Sequence, residues 1–280
     1  MSPAPSAATR VFALLGEPVA HSLSPRFQNA ALRAAHIDAV YVALRCAAAE
    51  LPGVLRGLAL AGGGGNVTIP HKELAARMVE RATDAVAATG ACNTYWAEAG
   101  VVCGDNTDVA GVQAAVRALL GEAPAGARVL LLGAGGAARA VVHALLLDGA
   151  ERVVVLNRSR PRAQALAERF GARGRVETRD DGAALRAERF DLAVNATSLG
   201  MHAGDALPLP PDTAPALGAA LDLVVLPGET AWVRALRERE IPTADGREML
   251  LQQGAEAFRR WFRQEPPLEA MRAVLSPVRR

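Results

Sequence analysis

At 280 residues the chain has room for one large domain or two of modest size, and an apolar content of 51% supplies ample material for burial. The 31 basic side chains nearly balance the 29 acidic ones, leaving a net charge of +2, and aromatics make up only 4%, so neither a nucleic-acid footprint nor a base-stacking platform is expected. The three cysteines (Cys46, Cys92, Cys103) form no C-x-x-C pair, the five histidines show no metal-ligand spacing, and no apolar run reaches roughly 18 residues; these features exclude a disulfide framework, a metal site and a membrane span.

Residues 1–10 are rich in Pro, Ala and Ser and lack the apolar core of a signal peptide, so a cytoplasmic chain with reduced thiols is expected. An apolar run predicts a first buried strand over residues 11–16. The loop after it carries His21, Ser22, Leu23, Ser24 and Pro25. Serine followed by proline is a helix start, with the hydroxyl as cap and the proline at the first helical position. Phe27, Ala30, Ala31 and Ala34 give that helix its apolar face. Ser24 therefore reads either as a cap or as a ligand group, whereas Ser22 has no capping role to explain it. Two hydroxyls in one such loop suit a polyol or a carboxylate.

Alternation predicts a second strand over residues 40–44, and residues 50–61 read as a helix interrupted near its start by Pro52 and Gly53. A glycine run, Gly62 to Gly65, precedes a short strand over residues 66–69, which Pro70 ends. His71, Lys72 and Glu73 then open an amphipathic segment with Leu74 and Met78 on one face. Lys72 is the only lysine; the other 30 basic residues are arginines. A guanidinium keeps its proton in any protein setting, whereas a partly desolvated amine can release one. A lysine kept where a strand hands over to a helix marks a site that passes a proton near neutral pH. Chance survival of a surface lysine is the competing reading.

Asp84 lies in a further helical segment, and Ala91, Cys92, Asn93 and Thr94 lead into a hairpin over residues 94–103 that turns near Ala99 and Gly100. Gly104, Asp105, Asn106, Thr107 and Asp108 precede a long helix over residues 109–120. Thr107 or Asp108 can serve merely as its cap. A carboxylate there is also held ionised by backbone N–H groups, which makes Asp108 a ready partner for Lys72.

Residues 121–126 read as a boundary region, with the helix before them as the alternative hinge. A strand over residues 128–132 then runs into Gly133, Ala134, Gly135, Gly136, Ala137 and Ala138, a helix over 140–147 and a strand over 152–156. G-x-G-x-x-A between a strand and a helix is a dinucleotide signal: the glycines admit a pyrophosphate, and the helix N-terminus supplies N–H donors and positive potential. The next strand ends in Asn157, Arg158, Ser159, Arg160, Pro161 and Arg162, with no carboxylate for a free ribose 2′-hydroxyl. Arg158 and Arg162 would attract a 2′-phosphate, so NADP(H) is expected over NAD(H). The alternative is a solvated helix start, which is the reading given to Arg160.

Strands over residues 191–196 and 221–226 and a helix over 231–239 continue the alternation, which means a doubly wound parallel sheet of the α/β class. Thr197 and Leu223 fall at strand ends, near where a nicotinamide would lie. A terminal helix follows Asp245, Gly246 and Arg247, reaches about residue 263 and carries Gln252 and Gln253, either of which can face a ligand. Pro266 and Pro267 break it, and a last short helix carries Leu268, Met271 and Leu275.

These motifs, in this order, resemble the shikimate dehydrogenase family across nearly the whole chain. The most specific parts are His21 to Pro25, Asn66 to Lys72, Asn93-Thr94, Gly104 to Asp108, Gly133 to Ala137, Asn157 to Ser159, Asn195 to Thr197 and Met249 to Gln253. The resemblance implies NADPH-dependent, reversible reduction of 3-dehydroshikimate to shikimate, a step toward chorismate and the aromatic amino acids. It implies a substrate-binding and catalytic domain over residues 1–108, completed by 246–280, and a Rossmann-type NADP-binding domain over 109–245, with a cleft between them. By its positions, Lys72 is the catalytic acid/base and Asp108 its partner. Ser22, Ser24, Thr68, Asn93, Asp108 and Gln253 hold substrate. Asp84, Leu223 and Gly246 join Gly133 to Ala137, Asn157 to Ser159, Arg162 and Thr197 in contact with NADP(H). The expected ligand is a small molecule, with neither nucleic acid nor membrane as partner, and the chain is expected to act as a monomer or homodimer. Two positions depart from the family: Val225 stands where a tyrosine usually helps hold the substrate carboxylate, and Arg247 stands where an apolar residue or glycine is common. They leave open a paralogue that uses quinate or an aminoshikimate-type substrate, or a non-catalytic NADP-binding relative.

Overall fold

A computed structural model describes residues 5–171, 174–179 and 185–275. In chain order the elements are β1 (Arg10–Gly16), α1 (Ser24–Ala34), β2 (Ala39–Arg45), α2 (Leu51–Leu60), β3 (Gly64–Val67), α3 (Lys72–Met78), β4 (Arg81–Ala82), α4 (Asp84–Thr89), β5 (Thr94–Glu98) and β6 (Val101–Asp105). There follow α5 (Asp108–Leu120), β7 (Arg128–Leu132), α6 (Gly136–Leu147), β8 (Arg152–Leu156), α7 (Arg160–Phe170), β9 (Val176–Arg179) and β10 (Arg189–Asn195). Then come β11 (Ala216–Asp222), α8 (Ala231–Arg237), β12 (Thr243–Ala244), α9 (Arg247–Phe262) and α10 (Leu268–Leu275). The chain divides into two units, Met1–Asp108 with Leu251–Arg280, and Val109–Leu250. The boundary near the C-terminus thus falls inside α9.

The first unit is built on a mixed sheet of order β2-β1-β3-β5-β6-β4, in which β5 runs antiparallel to β3 and β6. The strand expected over residues 66–69 lies two residues earlier and takes in two glycines of the run. The reason is crowding. A Cβ on Gly65 would lie 1.9 Å from the carbonyl oxygen of Ala13, and one on Gly64 would lie 2.6 Å from that of Tyr95. The glycines are there because β1 and β5 close in on this strand from both sides. On one face of the sheet Leu51 and Leu55 of α2 pack with Leu15, Val67, Tyr95 and Val102. The C-terminal helix α9 brings Trp261 and Phe262 to Phe12 of β1, each ring centroid 5.0 Å away. Burying one such side chain stabilises by roughly 1.5–3 kcal/mol, and a paired ring adds about 0.5–1.5 kcal/mol.

The second unit holds a wholly parallel sheet of order β12-β11-β10-β7-β8-β9. The order reverses between β7 and β10, and in such sheets the crevice beyond the strands' carboxyl ends at that point takes the ligand. Leu130, Leu132, Val154, Phe190, Trp232 and Leu236 form its core. The strand expected over residues 221–226 instead ends at Asp222. The Asp222 carboxylate accepts the N–H of Val224 at 3.1 Å and draws the chain out of the sheet, although the apolar run continues. The helix expected over 140–147 opens four residues earlier, at Gly136. The short strands β4, β9 and β12 have no alternating run to announce them.

Two glycines should respond oppositely to alanine. Gly65→Ala is expected to cost about 3 kcal/mol or more, because backbone on the neighbouring strand must move. Gly57 lies exposed within α2 with open space around its Cα, so Gly57→Ala is expected to gain about 0.5–1 kcal/mol. Urea unfolding of both variants measures this, and equal shifts would refute the crowding argument.

Candidate active site

Lys72 is the first residue of α3, and the turn that delivers it is fixed by backbone. The Thr68 carbonyl accepts the His71 N–H at 2.9 Å, and the Lys72 carbonyl accepts the Cys92 N–H at 2.9 Å. The buried His71 ring has Nε2 at 2.6 Å from the Cys46 carbonyl oxygen; a carbonyl only accepts, so this nitrogen carries the proton. From that anchored start, Lys72 Nζ donates to Asp108 Oδ2 at 2.6 Å. The amine side chain keeps 21% of its surface exposed and the carboxylate 8%. Asp108 Oδ1 accepts from Asn93 Nδ2 at 2.9 Å. Asn93 Oδ1 in turn accepts the backbone N–H of Thr107 at 2.8 Å and the hydroxyl of Thr94 at 2.9 Å. Lys72, Asp108 and Asn93 therefore form one connected group within the first unit.

The capping alternative left open for Ser24 is not the one the fold uses. Ser24 does not cap α1: Leu23 occupies the cap position, and Ser22 Oγ accepts the Ser24 N–H at 3.2 Å. Thr107 turns its hydroxyl to Asn93 at 3.1 Å, and Asp108, the first residue of α5, turns its carboxylate to Lys72 and Asn93. Asn93 is buried and donates one amide hydrogen to Asp108. Thr68 is half-buried and its methyl faces Gly16, where an added Cβ would lie 2.4 Å away. Gln253 is buried in α9, and the carbonyl of the next residue, Gly254, accepts Gln28 Nε2 of α1 at 2.9 Å.

Sequence reasoning passed over the residues that hold this group in place. His71 is one. Asp105 is another: it accepts from Thr83 Oγ1 at 2.6 Å and from the Asn106 N–H at 2.7 Å, and pairs with Arg260 Nε of α9 at 2.8 Å. The available signal was a polar run, Gly104 to Asp108, too dense for an ordinary turn. Burial pushes the Cys92 thiol up to about 12, and all three cysteines are free and buried, so they offer no thiolate nucleophile.

In the second unit the glycine-rich turn joins β7 to α6. Gly133 N–H donates to the Leu156 carbonyl at 2.9 Å, Ala134 follows, and Gly135 caps a helix whose first turn holds Gly136 and Ala137. A Cβ on Gly135 or Gly136 would meet nothing within 4 Å, so the helix N-terminus faces open space that a pyrophosphate can enter. At the end of β8, Asn157 Nδ2 donates to the Ser159 carbonyl at 2.8 Å. Ser159 holds the cap position of α7, whose first turn carries no acid, and Arg158 and Arg162 are exposed. That donor set fits a 2′-phosphate. Thr197 Oγ1 donates to Asn195 Oδ1 at 2.7 Å, and the Leu223 N–H donates to the Asn195 carbonyl at 3.0 Å. A Cβ on Gly246 would lie 2.3 Å from the Leu223 carbonyl, so only glycine lets the start of α9 approach that loop. Asp84 is exposed at the start of α4, in the first unit.

Three family models match: "Shikimate dehydrogenase substrate binding domain" over residues 14–95, "Shikimate / quinate 5-dehydrogenase" over 117–201 and "Shikimate 5'-dehydrogenase C-terminal domain" over 246–275. A shikimate dehydrogenase (NADP(+)) of Rubrobacter xylanophilus is 44% identical over 96% of this chain and 96% of its own length. The chain belongs to the shikimate dehydrogenase family. A Geobacter shikimate dehydrogenase (NADP(+)) is 41% identical over 96% of this chain and 95% of its own. The crystal structure of shikimate dehydrogenase from Aquifex aeolicus has a TM-score of 0.88 at 33% identity, covering 96% of this chain and 98% of that one. That of shikimate 5-dehydrogenase from Thermus thermophilus in complex with NADP(H) and shikimate has a TM-score of 0.85 at 37% identity, covering 95% and 98%. As a family member the chain is an NADP-dependent shikimate dehydrogenase. Among the described residues, no helix is long and apolar enough to cross a membrane.

The buried carboxylate that organises the second unit's loops carries a pH signature. Burial raises the Asp222 carboxyl from its ordinary 3.8, against hydrogen bonds from Thr230, Val224 and Asn195 that lower it. The folded state therefore keeps a proton that the unfolded chain has lost, and this residue's contribution falls as pH rises from about 3.8 through the raised value. Asp222→Asn removes that dependence while Thr230, whose hydroxyl can turn, keeps a partner. Unfolding free energies across that range should shift in the variant's favour as pH rises. A constant difference between the two proteins would rule the idea out.

Proposed function

We propose that Lys72 and Asp108 are the proton-handling pair for the interconversion of 3-dehydroshikimate and shikimate. The observation that carries this reading is the 2.6 Å contact between the chain's only lysine and a carboxylate whose second oxygen is held by Asn93. NADPH, when bound, supplies the hydride to the ketone carbon. As negative charge builds on the ketone oxygen, the Lys72 ammonium stabilises it and then gives up a proton. Asp108 orients the amine, and in the reverse direction Lys72 takes the hydroxyl proton back. Ser22, Ser24, Thr68, Asn93 and Gln253 supply the hydroxyl and amide groups that a polyhydroxy acid requires. Residues 1–108 with 246–280 form the substrate side of the enzyme.

For the cofactor, residues 109–245 form the NADP-binding domain. The peptide N–H groups from Gly133 to Ala137 hold the pyrophosphate, and Asn157, Arg158, Ser159 and Arg162 hold the adenosine 2′-phosphate. Thr197 and Leu223 lie near the nicotinamide, and Asp84 and Gly246 are further contacts of the cofactor. Val225 supports a second reading. Without the family's tyrosine hydroxyl at this half-buried position, a related substrate such as quinate competes more evenly with shikimate.

Lys72→Ala is expected to lower kcat by about a thousandfold with NADPH affinity retained. Lys72→Arg is expected to fall nearly as far, because a guanidinium keeps the charge but cannot release the proton. NADP+ reduction followed spectroscopically with shikimate, then with quinate at equal concentration, measures both substrate choice and turnover. Near-normal kcat in Lys72→Arg would remove the acid/base role. Tight NADPH binding by the wild type with neither substrate turned over would instead favour a nucleotide-binding relative without catalysis.

A further inference from the structure

The loop that leaves β11 has little to hold it. Leu223 donates to the Asn195 carbonyl, and the Val224 carbonyl accepts the Gly246 N–H at 3.3 Å. Beyond that point, among the described residues, no backbone-to-backbone hydrogen bond involves residues 225–229. One side chain takes over. Arg247 Nη2 donates to the Leu226 carbonyl at 3.1 Å and to the Gly228 carbonyl at 2.9 Å, one hydrogen for each. Its Nη1 pairs with Asp245 Oδ2 at 3.0 Å, while Asp245 Oδ1 accepts the Arg247 N–H at 3.0 Å. The guanidinium is thus set from behind by Asp245 and spans two carbonyls in front. The rigid guanidinium lets Nη2 bridge the two carbonyls while Nη1, on the same plane, is held by Asp245. Arg247 follows Gly246, the residue that packs directly on Leu223.

We propose that Arg247 is a positioning residue for the nucleotide: it fixes the path of residues 223–228 and, through them, the backbone of Leu223 and Gly246 against which NADP(H) is bound. The proposal rests on the reading that these two residues face the cofactor. Arg247 itself touches carbonyls of its own chain and makes no direct contribution to the proton transfer.

The test uses the full chain. Arg247→Ala is expected to weaken NADPH binding about tenfold, by fluorescence titration and by KM alike, since two charge-assisted hydrogen bonds are lost. KM for shikimate should stay within about twofold and kcat should change little. In the ligand-free protein, amide hydrogen exchange at Leu223, Val224 and Gly246 should accelerate, with the first unit unchanged. Arg247→Lys keeps the charge without the fork and should leave most of the defect in place. Arg247→Gln, checked by thermal melting, gives the same comparison should the alanine variant not fold. Unchanged exchange at those amides, a loss shared equally by both substrates, or full rescue by lysine would overturn the proposal. If the wild type binds no NADPH, the cofactor reading falls and takes this one with it. If the wild type binds NADPH and Arg247→Ala binds it equally well, this proposal alone fails.

Discussion

A backbone N–H can only donate, and that of Thr107 points at the side-chain oxygen of Asn93. The nitrogen of the same amide must then face the other way, toward Asp108. This constraint settles which carboxylate oxygen is left for Lys72 and where the amine lies. Thr107, Asn93 and Asp108 are buried, so losing one of these partners strands the next at a cost of about 1–3 kcal/mol. The ion pair sits at the end of this chain of obligations. Its geometry is imposed by the surroundings more than by the attraction between the two charges.

The second unit uses the same device. Asn195 ends β10, and its Oδ1 accepts the N–H and the hydroxyl of Thr197, while its Nδ2 donates to Asp222 at 2.8 Å. Asp222 ends β11 and also holds Thr230 at 2.7 Å, ahead of α8. In both units a buried polar side chain beside a strand ties down a loop: Asn93 holds Thr107 after β6, and Asn195 and Asp222 hold the segments that leave β10 and β11. Rigid strands set the position of these loops, and the buried polar group sets their shape.

Much of this was legible in the sequence, though unevenly. The strands over residues 128–132 and 152–156 match β7 and β8 residue for residue, because a strand buried on both faces is a plain apolar run between punctuating residues. The Lys72 and Asp108 pair could be anticipated because chemistry requires an amine where the composition otherwise supplies guanidinium. Position along β3 could not be read so easily: four glycines carry no periodicity, and what places two of them in a strand is the closeness of Ala13 and Tyr95, distant in sequence. The end of β11 was hidden for a related reason. Leu223, Val224 and Val225 look like strand, and only the bond from Val224 back to Asp222 takes them out of it. The role of His71 likewise depends on Cys46, which lies far back along the chain.

The aromatic contact between β1 and α9 joins the beginning of the first unit to its end. Until Trp261 and Phe262 are synthesised, Phe12 has no cover on that side, and Asp105 lacks the arginine that neutralises it. The second unit is continuous in sequence, from Val109 to Leu250. On a ribosome, then, the continuous unit can mature first, while the half that carries the lysine waits, unfinished, for α9 to emerge.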